Sequence, residues 1–415
     1  MKIAYFTDTY YPQLNGATIS IDNFSKALRK RGHKVYIFAP KIRGYEDEDK
    51  DVYRVSSVKV IDSEPEVRMP LLVPNRNLRQ IFGLDFDVVH AHGNGPFSVL
   101  GYQAARIKNV PFILTFHTIH TKYTHYFLNG KIIRPGVIAA GLRVFANVCD
   151  GIIVPSEKMH QELTGYKVKK EVKIIPSFID FSRFSHNKKG YLHKKLNIPD
   201  KNLILLTVGR LGKEKNFEFL IKTFKILSKK REDVDLVIVG HGPLEATLKN
   251  LTQKLGLRKR VHFTGRLDEN TIPLAYADAD VFVFASNTET QGVCVLEAAA
   301  SELPLVVVDD PAFENVAIEG KNALKPPLKE REFAKNVLDL VDDGIKRERF
   351  GKSSVKIAAQ NFEPEKLVTQ LENYYKVVIN SHKDKKRILR RIVDRKAFVY
   401  LLKASEKVNK FLGLS

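Results

Sequence analysis

Cysteine is scarce in this sequence: Cys149 and Cys294 are the only two among 415 residues, and they lie far apart. A disulfide framework is therefore not expected, and the pattern fits the reducing cytoplasm. A run of about 18 apolar residues is also lacking, so no segment predicts a membrane-spanning helix. The first residues, MKIAYFTDTYY, lack the basic and then apolar layout of a secretory signal. We therefore expect a cytoplasmic globular protein.

Acidic residues are in the minority, since 47 Asp and Glu stand against 68 Lys and Arg, for a net charge of +21. Such an excess favours polyanionic partners: nucleic acid, an anionic membrane surface or phosphate-bearing substrates. Residues 382–415 hold eleven Lys or Arg and three Asp or Glu, so this tail contributes +8 of the total. No motif that reads RNA or DNA accompanies the charge, and we expect no nucleic-acid partner.

Short β-rich runs alternate with helical patterns almost throughout the chain, and no internal repeat interrupts them. Near-continuous apolar strands that alternate with helices predict parallel sheets covered on both faces. The predicted strands lie at 2–6, 34–39, 86–90, 111–116, 151–154 and 172–175, and again at 203–208, 234–239, 260–263, 280–285 and 304–308. The predicted helices lie near 17–31, 96–108, 136–148 and 156–164, and again near 215–230, 243–255, 271–277, 292–301 and 329–341.

The chain is too long for one ordinary core, and the polar stretch SFIDFSRFSHNKKG at 177–190 breaks the rhythm of strands and helices. We predict an α/β fold of two Rossmann-like, doubly wound parallel-sheet domains that face each other across a cleft, followed by a C-terminal basic amphipathic helix. Open sheets of this kind bind ligands beyond the carboxyl ends of their strands, so the cleft is the expected site. The predicted units are 1–178, a linker at 179–194, 195–362, a closing helix at 363–380 and a basic tail at 381–415.

The segment SNTETQGVCVLEAAA at 286–300 carries the sharpest chemical signal. A predicted strand ends before it, a polar loop follows, and a helix begins near Gly292. The first N–H groups of a helix have no partner within the helix, so they form an anion site that faces the loop. Glu289 lies on the loop and Glu297 in the second helical turn. A surface pair at this spacing is common, but the strand–loop–helix context favours a functional pair.

A second constellation, TVGRLGKEKN at 207–216, places Arg210 and Lys215 on a glycine-containing loop between a strand and a helix. The flat guanidinium can hold two phosphate oxygens, and the lysine adds a mobile point charge. Fixed cations of this kind suit a diphosphate leaving group, on which negative charge develops.

The first half offers two weaker signals. In DTYYPQLNGA (8–17), Asn15 and Gly16 would let the backbone approach a ligand closely, although a plain strand-to-helix turn is an equal reading. In LTFHTIHTKYTHY (114–126), His117 lies at the carboxyl end of a predicted strand, where it can bond a sugar hydroxyl or a phosphate. His120 and His125 follow, but no cysteine or carboxylate completes a zinc site, and we expect no metal.

Two further motifs invite a catalytic interpretation. Asp278-Ala279-Asp280 has the form of a metal-binding D-x-D clamp, yet it leads directly into a core strand, which favours a packing role at a helix end and a strand start. The segment at 240–243, Gly-His-Gly-Pro, is equally well explained as a turn between a strand and a helix that shapes a nucleotide pocket.

Taken together, these motifs resemble the retaining glycosyltransferases of family 4, which have the GT-B fold, over roughly residues 1–378. The segments that carry the resemblance are E-x7-E at Glu289 and Glu297, VGRLGKEKN, VHFTGRL at 261–267, VIVGHGPLE at 237–245, and DVVHAHG at 87–93. Two positions depart from the family pattern. The segment that begins at Glu289 is E-T-Q-G, whereas E-x-F-G is frequent in the family. The E-T-Q-G form resembles that of bacterial diacylglycerol glucosyltransferases, which use UDP-glucose. Asp309-Asp310-Pro311-Ala312 stands where paired glycines are common.

The resemblance implies an acceptor-binding first domain, a nucleotide-sugar-binding second domain, and transfer that retains the anomeric configuration without a metal. Arg210 and Lys215 would hold the donor diphosphate, Glu297 the ribose hydroxyls, and Glu289 the transferred sugar. His117 would lie at the reacting face, so the implied catalytic residues are Glu289 and His117. The implied donor-binding residues are Asn15, Gly16, Arg210, Lys215, Phe263, Gly265, Arg266, Gly292, Val293 and Glu297.

The tail has apolar residues at helical spacing with Lys and Arg between them, which suits a helix lying in an anionic membrane interface. The alternative is a helix that packs its apolar stripe on the protein. The expected membrane-binding residues are Lys385, Lys386, Arg387, Arg390, Arg391, Arg395 and Lys396. We therefore expect a peripheral enzyme at the inner face of the cell membrane that transfers glucose from UDP-glucose to a membrane lipid, 1,2-diacylglycerol. The alternatives are a GDP-mannose-dependent phosphoinositide mannosyltransferase and a family 4 transferase with a soluble acceptor.

Overall fold

The computed structural model describes residues 1–59, 68–70, 81, 83–119, 135–185 and 190–385. The strands are β1 (Lys2–Thr7), β2 (Lys34–Pro40), β3 (Val52–Val55), β4 (Ser57–Lys59), β5 (Arg68–Pro70), β6 (Val88–His92), β7 (Phe112–Thr115), β8 (Gly151–Val154), β9 (Val172–Ile174), β10 (Leu203–Val208), β11 (Val234–Val239), β12 (Val261–Gly265), β13 (Val281–Phe284), β14 (Leu305–Val307) and β15 (Ala323–Leu324). The helices, numbered over these residues, are α1 (Gly16–Lys30), α2 (Pro96–Lys108), α3 (Pro135–Val148), α4 (Glu157–Gly165), α5 (Tyr191–Leu196), α6 (Phe217–Leu227), α7 (Glu245–Lys254), α8 (Ile272–Asp278), α9 (Val293–Ala300), α10 (Glu330–Asp342), α11 (Gly344–Asn361) and α12 (Pro364–Lys385).

Two parallel sheets organise the chain, as predicted. The first has the strand order β3-β2-β1-β6-β7-β8-β9, and the second has the order β12-β11-β10-β13-β14-β15. In each sheet the chain runs outward from a central strand and then restarts on that strand's other side. The reversal lies between β1 and β6 in the first sheet and between β10 and β13 in the second. Such a switch point opens a crevice at the carboxyl ends of the strands, which is where a ligand binds in this class of fold. The predicted fold class is confirmed for the described residues.

The best-predicted elements are the long apolar strands. The strands at 203–208 and 234–239 have the predicted bounds, and both lie in the interior of the second sheet with mostly buried side chains. The sequence does not predict β3, the antiparallel hairpin β4–β5, or the two-residue β15. These strands are short and lie at sheet edges or outside the main sheets, so they lack a continuous apolar run.

The predicted linker at 179–194 contains ordered structure of its own. A 3₁₀ turn spans Phe181–Arg183, and α5 begins at Tyr191 within the predicted linker. Asp278 explains why α5 begins there, because its carboxylate accepts hydrogen bonds from the backbone N–H groups of Gly190 and Leu192. The turn from the first domain to the second is therefore anchored on the second.

The closing helix returns the end of the described chain to the first domain. The helix α12 runs to Lys385, five residues beyond the predicted end at 380, so Lys385 belongs to it rather than to a separate tail. The Tyr374 hydroxyl accepts a hydrogen bond from the Ile152 N–H at 2.9 Å, and Glu372 binds both Arg31 and His33. Among the described residues, no helix combines the length and apolarity needed to cross a bilayer.

A fully buried tyrosine on α12 provides a test of this docking. The Tyr375 hydroxyl lies 2.7 Å from His90 Nδ1 and 3.2 Å from the Tyr5 hydroxyl. Tyr375→Phe leaves those two groups without this partner, so we expect a loss of about 1–3 kcal/mol in the free energy of unfolding. Val377→Ala, on the same helix but 63% exposed, should change it by less than about 0.5 kcal/mol. Chemical denaturation measures both, and equal effects of the two substitutions would contradict the packing described for α12.

Candidate functional site

The loops that follow the switch-point strands meet between the two sheets. The loop after β1 leads into α1, and the loops after β10 and β13 carry Arg210–Lys215 and Ser286–Gly292. We call the segment Ser286–Gly292 the donor loop. Most of the predicted catalytic and donor-binding residues lie on these three loops or on the first two turns of the helices that follow them. The fold therefore brings together residues that are almost 300 positions apart.

Two helices begin opposite each other across the cleft. Gly16 is the first residue of α1 and Val293 the first of α9. A β-carbon built on Gly16 would lie 3.4 Å from Val293 Cγ2, so the two helix starts lie close together. The unpaired N–H groups and positive dipole ends of both helices favour an anion in the adjoining space. The Asn15 side-chain oxygen accepts a hydrogen bond from Thr18 N at 3.0 Å and so caps α1.

The start of α9 requires glycine. Gly292 has a φ of +73°, and a β-carbon there would lie 2.6 Å from Phe313 Cε1. Any other residue would meet both a backbone penalty and a clash with a buried ring. The tight turn allows Glu289 on the donor loop and the N–H groups of α9 to face the same space.

Lys215 and Glu289 form an ion pair in the cleft, with 2.5 Å between Nζ and Oε1. Their side chains are 17% and 12% exposed, so solvent screens the pair only partly. Burial opposes ionisation of Glu289, but the Lys215 charge and hydrogen bond, together with Ser286 and Lys158, hold its pKa below the ordinary value. Glu289 is therefore a carboxylate at neutral pH. Lys215 lies in a 3₁₀ turn, Lys213–Lys215, rather than in the helix predicted to begin there.

Arg210 is half-buried on the same loop as Lys215. The loop's backbone packs tightly against the turn after β11: a β-carbon on Gly240 would lie 1.9 Å from the Gly209 carbonyl oxygen. A β-carbon on Gly242 would lie 2.6 Å from the Leu211 backbone nitrogen. The Gly-His-Gly-Pro segment is thus a turn that packs against the backbone on both sides of Arg210.

Glu297 has the opposite electrostatic environment to Glu289. It is 9% exposed, and its Oε2 accepts a hydrogen bond of 2.7 Å from the Tyr276 hydroxyl. Burial raises the pKa of Glu297 to about 7, and the Tyr276 hydrogen bond opposes this only partly. Near neutral pH the group can therefore both accept hydrogen bonds as a carboxylate and hold a proton.

His117 follows β7 and is half-buried at the edge of the cleft. Its Nε2 lies 3.1 Å from His92 Nδ1, and the two rings are stacked with centroids 5.4 Å apart. Burial lowers the pKa of His117 to about 4, so the ring is neutral at physiological pH. With Nε2 bonded to His92, Nδ1 is the ring nitrogen of His117 left for a substrate.

The donor loop forms hydrogen bonds with residues of the first domain as well as contacts with residues of the second. The Thr290 hydroxyl donates to the His117 carbonyl oxygen at 3.0 Å, and the Thr290 carbonyl oxygen accepts from the Ser156 hydroxyl. Gln291 makes two bonds of 2.7 Å to the backbone of Ser177, one to its N–H and one to its carbonyl oxygen. These contacts fix the position of the loop relative to His117.

A buried ion pair joins the two domains beside the donor loop. Lys158 Nζ, on α4, lies 2.7 and 2.6 Å from the two carboxylate oxygens of Asp310, which follows β14. It also donates to the Asn287 carbonyl oxygen at 2.8 Å. Sequence reasoning missed Lys158, because a lysine in the first turn of a helix has the pattern of an ordinary solvated residue.

The segment expected to frame a nucleotide base lies at the end of β12. Phe263 and Gly265 belong to the strand, and Arg266 follows it as an exposed residue. The Arg266 guanidinium reaches across to the Pro12 carbonyl oxygen at 3.0 Å. An open pocket between the domains is lined here by Tyr11, Pro12, Leu14, Tyr45, Arg266 and Glu269, among others.

The structure assigns the D-x-D motif a structural role. Asp278 caps α5, and the Asp280 carboxylate accepts a hydrogen bond of 2.8 Å from the Ile204 N–H in β10. Within the described ranges, no group of three or more His, Cys, Asp or Glu side chains is arranged to hold a metal ion. Of the expected membrane-binding residues, Lys386, Arg387, Arg390, Arg391, Arg395 and Lys396 lie outside the described residues, as do His120 and His125.

Comparisons with known proteins agree with this arrangement. The family Glycosyltransferase Family 4 matches residues 14–183, and Glycosyl transferases group 1 matches residues 189–356. An α-monoglucosyldiacylglycerol synthase from Streptococcus pneumoniae is 34% identical over 330 residues, which cover 76% of this chain and 73% of the relative. A synthase of the same name from Acholeplasma laidlawii is 28% identical over 337 residues, or 78% of this chain and 84% of the relative.

Solved structures share the fold at lower identity. HepE from Anabaena, in complex with UDP and glucose, has a TM-score of 0.72 at 18% identity and covers 91% of this chain and 100% of its own. Sucrose-phosphate synthase from Thermosynechococcus elongatus has a TM-score of 0.73 at 19% identity and covers 92% and 99%. Family matches over both halves, a relative above 30% identity and two facing Rossmann-like domains lead to one conclusion: the chain is a glycosyltransferase of family 4 with the GT-B fold.

Proposed function

We propose that this glycosyltransferase moves glucose from UDP-glucose to 1,2-diacylglycerol in a membrane, with retention of the anomeric configuration and without a metal. The observation that carries the proposal is the convergence of the Lys215–Glu289 pair with the facing starts of α1 and α9. Cations and helix N-termini suit a diphosphate, and an adjacent carboxylate suits sugar hydroxyls. The synthases named above support the choice of sugar and acceptor.

The donor occupies the cleft with its diphosphate at the facing helix starts. Arg210 and Lys215 bind the phosphate oxygens, and the backbone at Gly16 and Val293 supplies N–H donors. Glu297 accepts hydrogen bonds from the ribose hydroxyls, and the backbone from Phe263 through Gly265 to Arg266 frames the base. Asn15 contributes by capping α1, which holds Gly16 in place.

The transfer step breaks the bond between the anomeric carbon and the leaving phosphate oxygen. Negative charge grows on the diphosphate, where Lys215, Arg210 and the two helix N-termini stabilise it in a site that is partly closed to water. The acceptor hydroxyl attacks the anomeric carbon from the face that the diphosphate leaves, and its proton passes to the departing phosphate oxygen. Retention by double displacement would need a nucleophilic carboxylate close to that carbon. Glu289 is instead held in an ion pair, which suits it to orienting sugar hydroxyls.

His117 faces the sugar from the first domain. Its neutral ring can form a hydrogen bond with a sugar hydroxyl through Nδ1. It adds no positive charge beside the glucosyl group, which becomes electron-poor as the diphosphate leaves. The acceptor then approaches from the first-domain side of the cleft. The basic tail beyond residue 385 would hold the enzyme on an anionic surface at the inner face of the cell membrane, where its lipid acceptor lies.

A GDP-mannose-dependent mannosyltransferase is the second candidate. It is favoured by a relative of that description from Mycolicibacterium smegmatis, which is 29% identical over 318 residues, or 74% of this chain and 80% of the relative. The two candidates share the diphosphate site and differ in the base, in the hydroxyl pattern of the sugar and in the lipid acceptor, which for the second candidate is a phosphoinositide.

The role of Glu289 can be separated from nucleotide binding. Because Glu289 faces the sugar and Lys215 the diphosphate, Glu289→Gln should lower kcat on the order of a hundredfold, the usual scale for losing one preorganised polar contact in a transition state. The Kd for UDP, measured by calorimetry, should stay close to the wild-type value. Glu348→Gln, an exposed carboxylate paired with Lys352, should change neither quantity. A collapse of UDP binding in Glu289→Gln would contradict the proposed role.

The raised pKa of Glu297 predicts a pH dependence of donor binding. Ribose hydroxyls donate to the ionised carboxylate, so below pH 7 the proton that Glu297 holds in the free enzyme must be lost on binding. The Kd for UDP-glucose should therefore rise as pH falls below about 7, by up to about tenfold per unit, and level off above it. UDP-glucose keeps its charge over this range, and His117 remains neutral. In Glu297→Gln the affinity for UDP-glucose should be weaker and should not change with pH. If the variant keeps the wild-type pH dependence, the proton that is lost on binding belongs to another group.

The donor, the acceptor and the tail can be tested together with liposomes. We expect turnover of UDP-glucose with diacylglycerol, and a severalfold higher rate in anionic than in neutral vesicles, because several basic residues of the tail each contribute about 1 kcal/mol at an anionic surface. Removal of 386–415, which leaves α12 intact, should abolish that difference while UDP binding persists.

Product identification by mass spectrometry gives the sugar and the acceptor. Turnover of GDP-mannose alone would favour the second candidate, and equal wild-type rates in both vesicles would contradict the role of the tail.

A further inference from the structure

The two departures from the family sequence pattern both lie on the boundary between the domains. Gln291, in the E-T-Q-G segment, bonds the backbone of Ser177 through both its amide oxygen and its amide nitrogen. Asp310, which stands where paired glycines are common, receives the ammonium of Lys158 on both carboxylate oxygens. What distinguishes this chain from the family pattern is therefore a set of contacts that hold the first domain against the donor loop.

The Lys158–Asp310 pair is almost completely removed from water. Each side chain is 8% exposed, and each comes from a different domain. A charge buried at this level is compensated only while its partner is in place, and the loss of one partner from such a pair is much more costly than the loss of both. Separation of the two domains would hydrate both charges again, so the two charges need each other only in the closed arrangement, and loss of either partner penalises that arrangement.

Lys158 acts on the backbone that carries Glu289. Its Nζ donates to the Asn287 carbonyl oxygen at 2.8 Å, two residues before Glu289. One residue after Glu289, the Thr290 carbonyl oxygen accepts from the Ser156 hydroxyl, which lies two residues before Lys158. The start of α4 in the first domain therefore holds the donor loop on both sides of Glu289.

We propose that Lys158 is a positioning residue: anchored by Asp310, it holds the backbone of the donor loop so that Glu289 faces the donor sugar only when the two domains are closed. This inference rests on the proposed role of Glu289 in sugar binding. Most of the proposed nucleotide contacts, those of Arg210, Lys215 and Glu297, lie within the second domain and do not need the Lys158 contact. Only the backbone at Gly16 would reach the diphosphate from the first domain. Lys158 thus couples domain closure to completion of the sugar site.

Two single substitutions and their combination test the proposal. Lys158→Met keeps the length of the side chain and removes its charge, and Asp310→Asn keeps an oxygen that can accept the hydrogen bond from Ala312 N. Each should lower kcat by roughly tenfold or more and weaken UDP binding much less than that, because the closed state is destabilised while most nucleotide contacts lie within the second domain. The double variant buries no unpaired charge and should be more stable to denaturation than Lys158→Met, but its kcat should stay low because the Asn287 contact is still missing.

Asp309→Asn is the matched control. Asp309 precedes Asp310 and pairs with Lys325 at 2.8 Å, and its side chain is 70% exposed. Because Lys325 also belongs to the second domain, this pair does not join the two domains. We expect wild-type kcat and UDP affinity for it. Small-angle X-ray scattering in the presence of UDP supplies a second readout: Lys158→Met and Asp310→Asn should have a larger radius of gyration than the wild type, and Asp309→Asn should not.

Three results would overturn the proposal. One is wild-type kcat in Lys158→Met, and another is an unchanged radius of gyration in both single variants. The third is a loss of UDP affinity equal to the loss of kcat, because a general collapse of the donor site would then explain both. The scattering comparison needs no sugar transfer. If UDP-glucose or diacylglycerol is the wrong substrate, the wild type itself shows no turnover, and scattering still decides the role of Lys158.

Discussion

The structure depends on a short loop that belongs to one domain and is held by the other. The donor loop continues from β13 in the second sheet, yet its carbonyl oxygens at Asn287 and Thr290 accept hydrogen bonds from side chains of the first domain. Glu289 lies between these two points and pairs with Lys215 from its own domain. In the proposed function, the sugar end of the site is therefore shared between the domains, whereas the nucleotide end lies mostly in the second. A transferase can use such a division to bind its donor first and complete the reacting geometry on closure.

Two glutamates eight positions apart have opposite electrostatic surroundings. Glu289 is buried beside the Lys215 ammonium, which keeps its pKa low, while Glu297 is buried beside the Tyr276 hydroxyl, and its pKa rises to about 7. Environment rather than residue type thus assigns the two carboxyl groups different tasks. One is a permanent anion that can orient sugar hydroxyls, and the other responds to the hydrogen-bond donors that a ligand brings.

The sequence predicts most of the fold and the positions of the candidate residues at the ends of strands, for identifiable reasons. The interior strands at 203–208 and 234–239 are near-continuous apolar runs, and Glu289, Arg210 and Lys215 lie where parallel strands end, so local pattern is enough. The contacts between the domains are not local. Gln291 is visible as a departure from the family pattern, but its partner Ser177 is 114 residues away. Lys158 gives no sequence signal at all, because a lysine in an amphipathic helix is ordinarily solvated. Only the fold brings Asp310 into contact with it.

The account as a whole depends on where a diphosphate binds, and a crystal structure of the chain soaked with UDP measures this directly. We expect the diphosphate in the space beside the starts of α1 and α9, within hydrogen-bond distance of Arg210 and Lys215, with the ribose hydroxyls on Glu297. The Lys215–Glu289 pair should lengthen as Lys215 turns towards the phosphates. A diphosphate bound away from these residues, with the Lys215–Glu289 pair undisturbed, would contradict the assignment of the cleft.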